Sequence, residues 1–313
     1  MNNILDVIKK SNHILILTHE NPDGDAIGSA IATYYFLSGI GKDVVVLLPE
    51  VPPIFDFLTH HTNTIEKSDK QYDLAIVLDC STMGRIFQNN NEFSRCATSI
   101  VIDHHISNTK YGAINYIEEK TSSCCQVLYY LFKGWNVSFT KQLAEALITG
   151  LLTDTSGFAN SNVDAKSFEM VNELYSMGID FHNLYNRLIS KKSMAQYNLM
   201  KLVMNRLEFF EDGKIAFSYI TKQDFVDTNA NLGDHEGLVD IGRNIEGVEV
   251  SIFIREDDCY YISFRANGKI DVNKIAMRLG GGGHFEASGA KSSKSFEETK
   301  ELVLSETKKE FVV

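Results

Sequence analysis

Four short runs of branched apolar residues in the first third of the chain constrain its fold more than any other feature. Each run is about as long as a β-strand, and none shows the alternation of polar and apolar residues that a half-exposed strand has. This composition is typical of strands that are buried on both faces of a parallel sheet. The runs occupy residues 14–18, 44–48, 74–78 and 100–102.

Helical stretches between and after these strands indicate how the sheet is built. Residues 26–37 form an apolar, helix-like stretch that ends near Gly39. Strands that alternate with helices are typical of βαβ units. The pattern is helical from residue 122 to about 206, and strand-like segments return at 214–220, 248–255 and 259–265. Further helical stretches are expected near 236–244 and 271–279, and a closing helix over 295–309. We therefore predict an α/β fold with a parallel-sheet domain over 1–190, a helical connector over 191–210 and a smaller α/β domain over 211–313.

Charge and composition restrict the class of protein. The net charge is −11, and the chain has no basic run of the kind that binds long duplex nucleic acid. No segment approaches the roughly 18 apolar residues of a membrane span, and the N-terminus lacks the apolar core of a secretory signal. The five cysteines include no C-x-x-C pair, which argues against a disulfide framework and a thiolate zinc site. We expect a cytoplasmic protein that binds no membrane.

Acidic and imidazole side chains follow the ends of the predicted strands. In open parallel sheets, ligands bind beyond the carboxyl ends of the strands, so these side chains should meet at one edge. Carboxylate oxygen and imidazole nitrogen are donors that hard and borderline cations prefer. Two cations held by such donors can clamp the attacking and leaving oxygens of a phosphoryl group. The side chains are those of His19, Asp23, Asp25, Asp79, Asp103, His104 and His105, with Asp154 at the end of a predicted helix.

In this order and spacing, the residues resemble the motifs of the DHH phosphoesterase superfamily. The four motifs are His19-x-Asn21-Pro22-Asp23-x-Asp25, Asp79, Asp103-His104-His105 and Asp154. A late glycine run that ends in His284 resembles the motif of the DHH-associated C-terminal domain. The resemblance covers roughly residues 13–290 and is strongest to proteins of the bacterial nanoRNase and pAp-phosphatase type. It implies a DHH catalytic domain over 1–190 and a DHH-associated substrate-binding domain over 211–313.

The resemblance implies a role for each residue of the first domain. His19 and Asp23 would hold one metal, and Asp79 would bridge it to a second metal held by Asp25, His104 and Asp154. The metals are expected to be two Mn²⁺ ions, with Mg²⁺ or Co²⁺ as alternatives, and they would activate a hydroxide for attack on phosphorus. The expected catalytic residues are Asp79, which bridges the metals, Asp103, which would orient the histidines, and His105, which would contact phosphate or donate a proton.

Substrate binding is expected mainly in the second domain. A glycine run lets backbone N–H groups approach a phosphate closely, and an arginine can pair with phosphate through two hydrogen bonds. The candidate residues are Arg265, Gly281, Gly282, Gly283 and His284, together with Arg85 from the first domain.

These observations lead to one favoured function and several alternatives. We expect a manganese-dependent phosphoesterase that converts dinucleotides such as pApA, nanoRNA and/or 3′-phosphoadenosine 5′-phosphate to nucleoside monophosphates. Its partners would be short single-stranded oligonucleotides or small nucleotides, and the resemblance also allows a homodimer. The alternatives are a cyclic-dinucleotide phosphodiesterase, an inorganic pyrophosphatase and a nucleotide-binding module without activity. A processive exonuclease is disfavoured because the chain is acidic.

Overall fold

Two units make up the chain in the computed structural model, which describes residues 2–48, 51–86 and 91–311. The units are Met1–Lys191 and Lys192–Val313. In the described part of the chain, each unit contains one six-stranded sheet flanked in sequence by helices. The predicted α/β class is therefore confirmed.

The sheet of the first unit is parallel throughout. Its strands are β1 (His13–Leu17), β2 (Asp43–Leu47), β3 (Thr64–Ile65), β4 (Leu74–Leu78), β5 (Thr98–Asp103) and β6 (Ile114–Ile117), in the order β3-β2-β1-β4-β5-β6. From β1 to β3, each new strand is added toward one edge of the sheet. The chain then returns to the centre, where β4 pairs with β1, and β5 and β6 are added toward the opposite edge. The direction of winding thus reverses between β1 and β4, which is where doubly wound sheets bind ligands.

Successive residues of the central strands enter two different apolar cores. Ile14 and Ile16 belong to one buried cluster, and Leu15 and Leu17 belong to another. The sheet is therefore covered on both faces, which explains why its strands read as continuous apolar runs. This confirms the parallel sheet that those runs predicted.

Two helices of the first unit, α2 (Gly24–Gly39) and α6 (Lys141–Asp154), form a very close pair. The other helices of this unit are α1 (Asn2–Lys10), α3 (Asp56–Thr59), α4 (Asn91–Ser94), α5 (Cys124–Gly134), α7 (Ala165–Tyr175) and α8 (Phe181–Tyr185), and a π-helical turn follows at Asn186–Ser190. Helices α2 and α6 can pack closely because Gly28 has no side chain. A Cβ at Gly28 would lie 2.5 Å from the carbonyl oxygen of Ala146.

The sheet of the second unit is mixed. Its strands are β7 (Glu208–Phe210), β8 (Ile215–Ile220), β9 (Val250–Glu256), β10 (Tyr260–Ala266), β11 (Gly282–Gly283) and β12 (Ala287–Ser292), in the order β11-β12-β10-β9-β8-β7. Only the β8–β9 pair is parallel among these described strands. The helices are α9 (Met194–Asn205), α10 (Lys222–Thr228), α11 (Asp240–Arg243), α12 (Val272–Arg278) and α13 (Phe296–Lys308).

The structure departs from the sequence-based elements in a few places. A helix was predicted over 236–244, but only Asp240–Arg243 is α-helical there, because Gly237 adopts a left-handed φ of 76° that interrupts the segment. A helix is present within the predicted connector region, as Met194–Asn205, and it belongs to the second unit. Among the helices and strands of the described residues, nine were not anticipated, namely α1, α3, β3, α4, β6, β7, α10, β11 and β12.

Candidate metal centre

Strand register brings the predicted ligands of the first unit to one edge of the sheet. Leu17 of β1 pairs with Val77 of β4, and Leu78 of β4 pairs with Ile102 of β5. The strands are parallel, so the residues that follow them emerge side by side. Asp79 directly follows β4, and Asp103 is the last residue of β5.

Three groups of donor atoms lie at this edge. Within each group, every donor atom lies within 4.8 Å of the others. Asp79 belongs to two of the groups, and His104 also belongs to two. The groups are His19 with Asp23 and Asp79, Asp25 with His104 and Asp154, and Asp79 with Asp103, His104 and His105. The structure thus brings together all six residues predicted as metal ligands.

Asp79 occupies the centre of the cluster in an unusual backbone conformation. Its φ is 53°, in the left-handed region that non-glycine residues seldom adopt. Its buried Oδ1 accepts no hydrogen bond from the described residues, and the nearest imidazole nitrogens, of His104 and His105, are both 3.5 Å away. A buried carboxylate oxygen without a donor is costly. A cation at this position would compensate for that cost, so the donor set fits a metal.

Asp25 is held by the N-terminus of helix α5. The backbone N–H of Cys124 donates to its Oδ2 at 2.6 Å, and that of Cys125 donates to its Oδ1 at 2.9 Å. The N-terminus of a helix favours a negative charge. Burial nevertheless raises the pKa of Asp25 well above its ordinary value, and the charges of Asp79 and Asp154 add to the rise.

Asp154, at the end of helix α6, shares this crowding. Burial raises its pKa to about 7, and although His104 opposes the rise, Asp79 and Asp23 contribute to it. The Nε2 atom of His104 lies 3.7 Å from Asp154 Oδ2 and 3.8 Å from Asp25 Oδ2. Several carboxylates packed together are unfavourable unless they share protons or cations. The electrostatics of the site therefore also suit divalent cations.

Backbone carbonyl groups orient two of the histidines. His19 Nδ1 lies 2.7 Å from the carbonyl oxygen of Glu20, and His104 Nδ1 lies 3.4 Å from that of Thr121. A carbonyl only accepts hydrogen bonds, so it favours a proton on Nδ1 and leaves Nε2 as the metal-ligating atom. In both residues, Nε2 is directed toward Asp79, at 3.9 Å from Oδ2 for His19 and 3.5 Å from Oδ1 for His104.

Asp103 is fully buried, and both of its oxygens accept hydrogen bonds. Oδ1 accepts from the backbone N–H of His104 at 2.8 Å, from that of His105 at 3.3 Å and from His105 Nδ1 at 2.7 Å. Oδ2 accepts from Asn108 Nδ2 at 2.6 Å. This geometry suits a residue that orients its neighbours better than one that binds a cation. Asn108 was missed at the sequence level.

Arg85 lies next to His19 through its backbone. Its carbonyl oxygen accepts from the N–H of Glu20 at 2.7 Å, and the following residue, Ile86, forms a β-bridge with His19. The side chain of Arg85 is exposed. The structure thus places Arg85 beside the cluster, with a guanidinium that solvent can reach.

The predicted substrate residues of the second unit meet at one end of its sheet. Arg265 of β10 pairs with Ala287 of β12, and Gly283 of β11 pairs with the adjacent Ser288. Between β11 and β12 the chain makes a tight turn, in which the N–H of His284 donates to the carbonyl oxygen of Ala287 at 2.7 Å. Arg265, the glycine run and His284 are therefore neighbours.

Glycine is required in this turn for steric reasons. A Cβ at Gly283 would lie 2.6 Å from the carbonyl oxygen of Ala287, and one at Gly281 would collide with the carbonyl oxygen of Gly289. The absence of side chains at Gly281 and Gly283 therefore lets this segment pack directly against the backbone of β12.

Two charged residues that the sequence interpretation missed lie beside Arg265. Asp240 Oδ1 is 3.0 Å from Arg243 Nε and 4.0 Å from Arg265 Nε. Burial lowers the pKa of Arg265 below its ordinary value; Asp240 opposes this shift, and Arg243 adds to it. Arg243 and Asp240 belong to the short helix α11, whose sequence carries no recognisable motif.

Two further observations concern membranes and cysteines. In residues 2–48, 51–86 and 91–311, no helix combines the length and apolar character that crossing a bilayer requires. All five cysteines are free, and Cys124 and Cys125 are buried in the core.

Comparison with known families gives two matches. The model of the DHH family, N-terminal domain, matches residues 13–151, and that of the DHHA1 domain matches residues 212–312. The first match contains every residue of the acidic and imidazole cluster except Asp154, and the second contains Arg265 and the glycine run.

Similar proteins have been named in several bacteria. The "Bifunctional oligoribonuclease and PAP phosphatase NrnA" of Thermus thermophilus is 29% identical over 281 residues, covering 88% of this chain and 83% of that protein. The Bacillus subtilis protein of the same name is 26% identical over 297 residues, covering 92% of this chain and 91% of that protein. The crystal structure of an exopolyphosphatase-related protein from Bacteroides fragilis superposes with a TM-score of 0.89 at 27% identity, covering 98% of this chain and 95% of that one.

Proposed function

This chain is a phosphoesterase of the DHH family with a DHHA1 domain, and from this premise we propose that it hydrolyses very short oligonucleotides and 3′-phosphoadenosine 5′-phosphate to nucleoside monophosphates. The observation that carries the proposal is the cluster in which Asp79 is shared between two groups of metal-ligating donors. Relatives that extend over about nine-tenths of the chain are named for these two activities. Their names support this substrate class over pyrophosphate.

The metal site is proposed to hold two cations, with manganese the first choice. His19, Asp23 and Asp79 would hold one, and Asp79, Asp25, His104 and Asp154 would hold the other. When bound, the cations would lower the pKa of the attacking water and neutralise charge on the phosphate.

The protein's own residues supply orientation and a proton. The N-terminus of α5 fixes the carboxylate of Asp25, and Asp103 fixes the ring of His105 through Nδ1. Burial opposes protonation of His105, but Asp103 and Asp79 outweigh it and raise the pKa of the imidazole. We propose that His105 contacts the scissile phosphate and donates the proton from Nε2 to the leaving oxygen.

In the second unit, Arg265 and the glycine turn are proposed to bind substrate. Arg265 would pair with a phosphate group, and the N–H groups of Gly281, Gly282 and Gly283 would approach the nucleotide together with His284. Arg85 of the first unit would contact the scissile phosphate, because its backbone is anchored beside His19.

A side-by-side substrate panel tests the proposal. The protein is freed of metal with a chelator, reloaded with Mn²⁺, Mg²⁺ or Co²⁺, and incubated with pApA, 3′-phosphoadenosine 5′-phosphate, cyclic di-AMP or pyrophosphate. We expect Mn²⁺-dependent release of AMP from pApA and from 3′-phosphoadenosine 5′-phosphate. The Asp79→Ala variant should lose nearly all of this turnover, and Asp69→Ala, at a side chain that is 89% exposed, should keep it.

Three outcomes would count against the proposal. No AMP from either favoured substrate would refute it. Rapid turnover of pyrophosphate without action on pApA would identify a pyrophosphatase. Preferential opening of cyclic di-AMP would identify a cyclic-dinucleotide phosphodiesterase.

A further inference from the structure

The strained backbone of Asp79 requires an explanation in its surroundings. Asp79 adopts a φ of 53° immediately after β4, and this conformation is unfavourable for a residue that has a Cβ. Such conformations persist where neighbouring contacts over-determine the local structure. The contacts around residues 79–81 therefore indicate what directs the Asp79 carboxylate into the cluster.

Hydrogen bonds from β5 and the loop after it fix three consecutive residues. The N–H of Asp79 donates to the carbonyl oxygen of Ile102 at 3.2 Å, and the N–H of Thr109 donates to that of Ser81 at 3.0 Å. Between them, the carbonyl oxygen of Cys80 accepts two hydrogen bonds. One comes from Asn108 Nδ2 at 3.2 Å and the other from the Tyr111 hydroxyl at 2.9 Å.

Asn108 contacts a second functional loop at the same time. Its Nδ2 also donates to Asp103 Oδ2 at 2.6 Å. Its Oδ1 accepts from the N–H of Lys110 at 2.7 Å, and this bond defines which end of the amide carries the donors. One amide group thus joins the loop that carries Asp79 to the carboxylate that orients His105.

We propose that Asn108 is a positioning residue that sets the geometry between Asp79 and the Asp103–His105 pair, with Tyr111 as its partner on the Cys80 carbonyl. The proposal rests on the proposed function only in that both concern the same metal centre. Asn108 acts through Cys80 and Asp103. Without it, the Cys80 carbonyl loses one of two donors and Asp103 Oδ2 loses its side-chain donor, so both loops can relax.

The alternative is that Asn108 only stabilises the loop after β5. Asn115 supplies a matched control for that alternative, because its side chain makes the same kind of hydrogen bonds from strand β6 back to this loop. Its Oδ1 accepts from the N–H of Gly112 at 3.0 Å, and its Nδ2 donates to the carbonyl oxygen of Gly112 at 2.7 Å. No hydrogen bond in the described part of the chain joins its side chain to Cys80 or Asp103.

The test compares Asn108→Ala, Tyr111→Phe, the double variant and Asn115→Ala in the full chain. The first measurement is calorimetric binding of Mn²⁺ alone, without substrate. Residues that orient metal ligands typically change metal affinity or activity about 10–100-fold when replaced. We expect a loss of this size for Asn108→Ala, a smaller loss for Tyr111→Phe, and an affinity within about twofold of wild type for Asn115→Ala.

The second measurement separates positioning from general loss of structure. With pApA, kcat of Asn108→Ala should fall while KM stays within about threefold, because the contacts to the substrate remain. The effects of Asn108→Ala and Tyr111→Phe should not multiply in the double variant, since both donors act on the Cys80 carbonyl.

Several results would overturn the proposal. Unchanged Mn²⁺ affinity and kcat in folded Asn108→Ala would do so, as would an equal loss in Asn115→Ala. If Asn108→Ala does not fold, Tyr111→Phe decides the question. This variant should fold, because the phenylalanine ring can keep the contact with Phe93, whose ring centroid is 6.0 Å from that of Tyr111. Normal Mn²⁺ affinity in Tyr111→Phe would then reject the proposal. If the wild type cleaves no nucleotide but the variants bind Mn²⁺ more weakly than it does, the proposed function is refuted and the positioning role of Asn108 still holds.

Discussion

Replacing Asp154 with asparagine should stabilise the metal-free protein and remove the stabilisation that Mn²⁺ provides. In the metal-free state, this carboxylate lies at the C-terminal end of α6, where the helix dipole disfavours negative charge. Burial, together with Asp79 and Asp23, raises its pKa from 3.8 to about 7. Asparagine has a similar shape and carries no charge, so it relieves the repulsion but is a poor ligand for a cation.

The size of the effect follows from the pKa shift. A rise of about three pKa units corresponds to at most about 4 kcal/mol, at about 1.4 kcal/mol per unit. The side chain is 29% exposed, and screening by solvent reduces the expected gain to about 2 kcal/mol. For a unit of this size, that gain corresponds to an increase in Tm of about 4–8 °C.

The sign of the pH dependence is fixed by the direction of the shift. Because the pKa of Asp154 is higher in the folded than in the unfolded state, the folded protein binds more protons between pH 3.8 and about 7. The wild type therefore loses stability as the pH rises through this interval, and the loss is complete above it. The advantage of Asp154→Asn should be full at pH 8, about one third as large at pH 5, and absent well below pH 4.

Thermal unfolding at pH 5 and pH 8, with a chelator or with Mn²⁺, measures both effects. Asp69→Asn is the matched control, because it makes the same chemical change at an 89% exposed side chain and should shift stability by less than about 0.5 kcal/mol. The reasoning fails if metal-free Asp154→Asn is no more stable than wild type at pH 8. It also fails if Mn²⁺ raises the Tm of the variant as much as that of the wild type.

Two further predictions concern the packing of the ligands and the binding of substrate. Gly150→Ala should weaken Mn²⁺ binding at least about tenfold, because the new Cβ would lie 2.5 Å from Asp25 Oδ1 and collide with Cys125 Sγ. The control Gly39→Ala should bind Mn²⁺ normally, because a Cβ at Gly39 would have no atom within 4 Å. Equal Mn²⁺ affinities of the two variants in calorimetry would contradict the prediction. Arg265→Ala should raise KM for pApA about 10–100-fold with little change in kcat. This is the loss of binding affinity expected when a charge-assisted hydrogen bond to the substrate is removed. Arg278→Ala, which breaks an ion pair to Glu306, should leave KM unchanged, and a defect confined to kcat in Arg265→Ala would rule out the assigned role.

The sequence predicted the parallel sheet well because its strands are buried on both faces. Strands β1 and β4 consist almost entirely of fully buried apolar residues, so they stand out without any alternation. Strand β12, with the sequence ASGAKS, has no branched apolar residue and is a strand because it pairs with β10. Elements of this kind depend on tertiary pairing, which local composition does not report.

The candidate site likewise contains residues that the sequence could predict and contacts that it could not. The Asp and His side chains could be predicted because their chemistry is visible in the sequence and the strand ends indicate where they meet. The N–H groups of Cys124 and Cys125 that hold Asp25 could not, because backbone donors are common to every residue. Asn108 was missed because an asparagine in a loop is ordinarily a turn residue, and its contact with Cys80 spans 28 positions of the chain.

The close packing of α2 and α6 has a consequence for the choice of cation. Asp25 lies in the first turn of α2 and Asp154 is the last residue of α6, so the gap between the two helix axes limits how far apart these carboxylates can be. Cations differ in the oxygen distances they accept, at about 2.0–2.1 Å for Mg²⁺ and 2.3–2.6 Å for Ca²⁺. A larger residue at Gly28 would spread the helices and favour a bigger ion. Selectivity for ionic radius would then depend on a buried position whose neighbours are Ala146, Gly150 and Cys125.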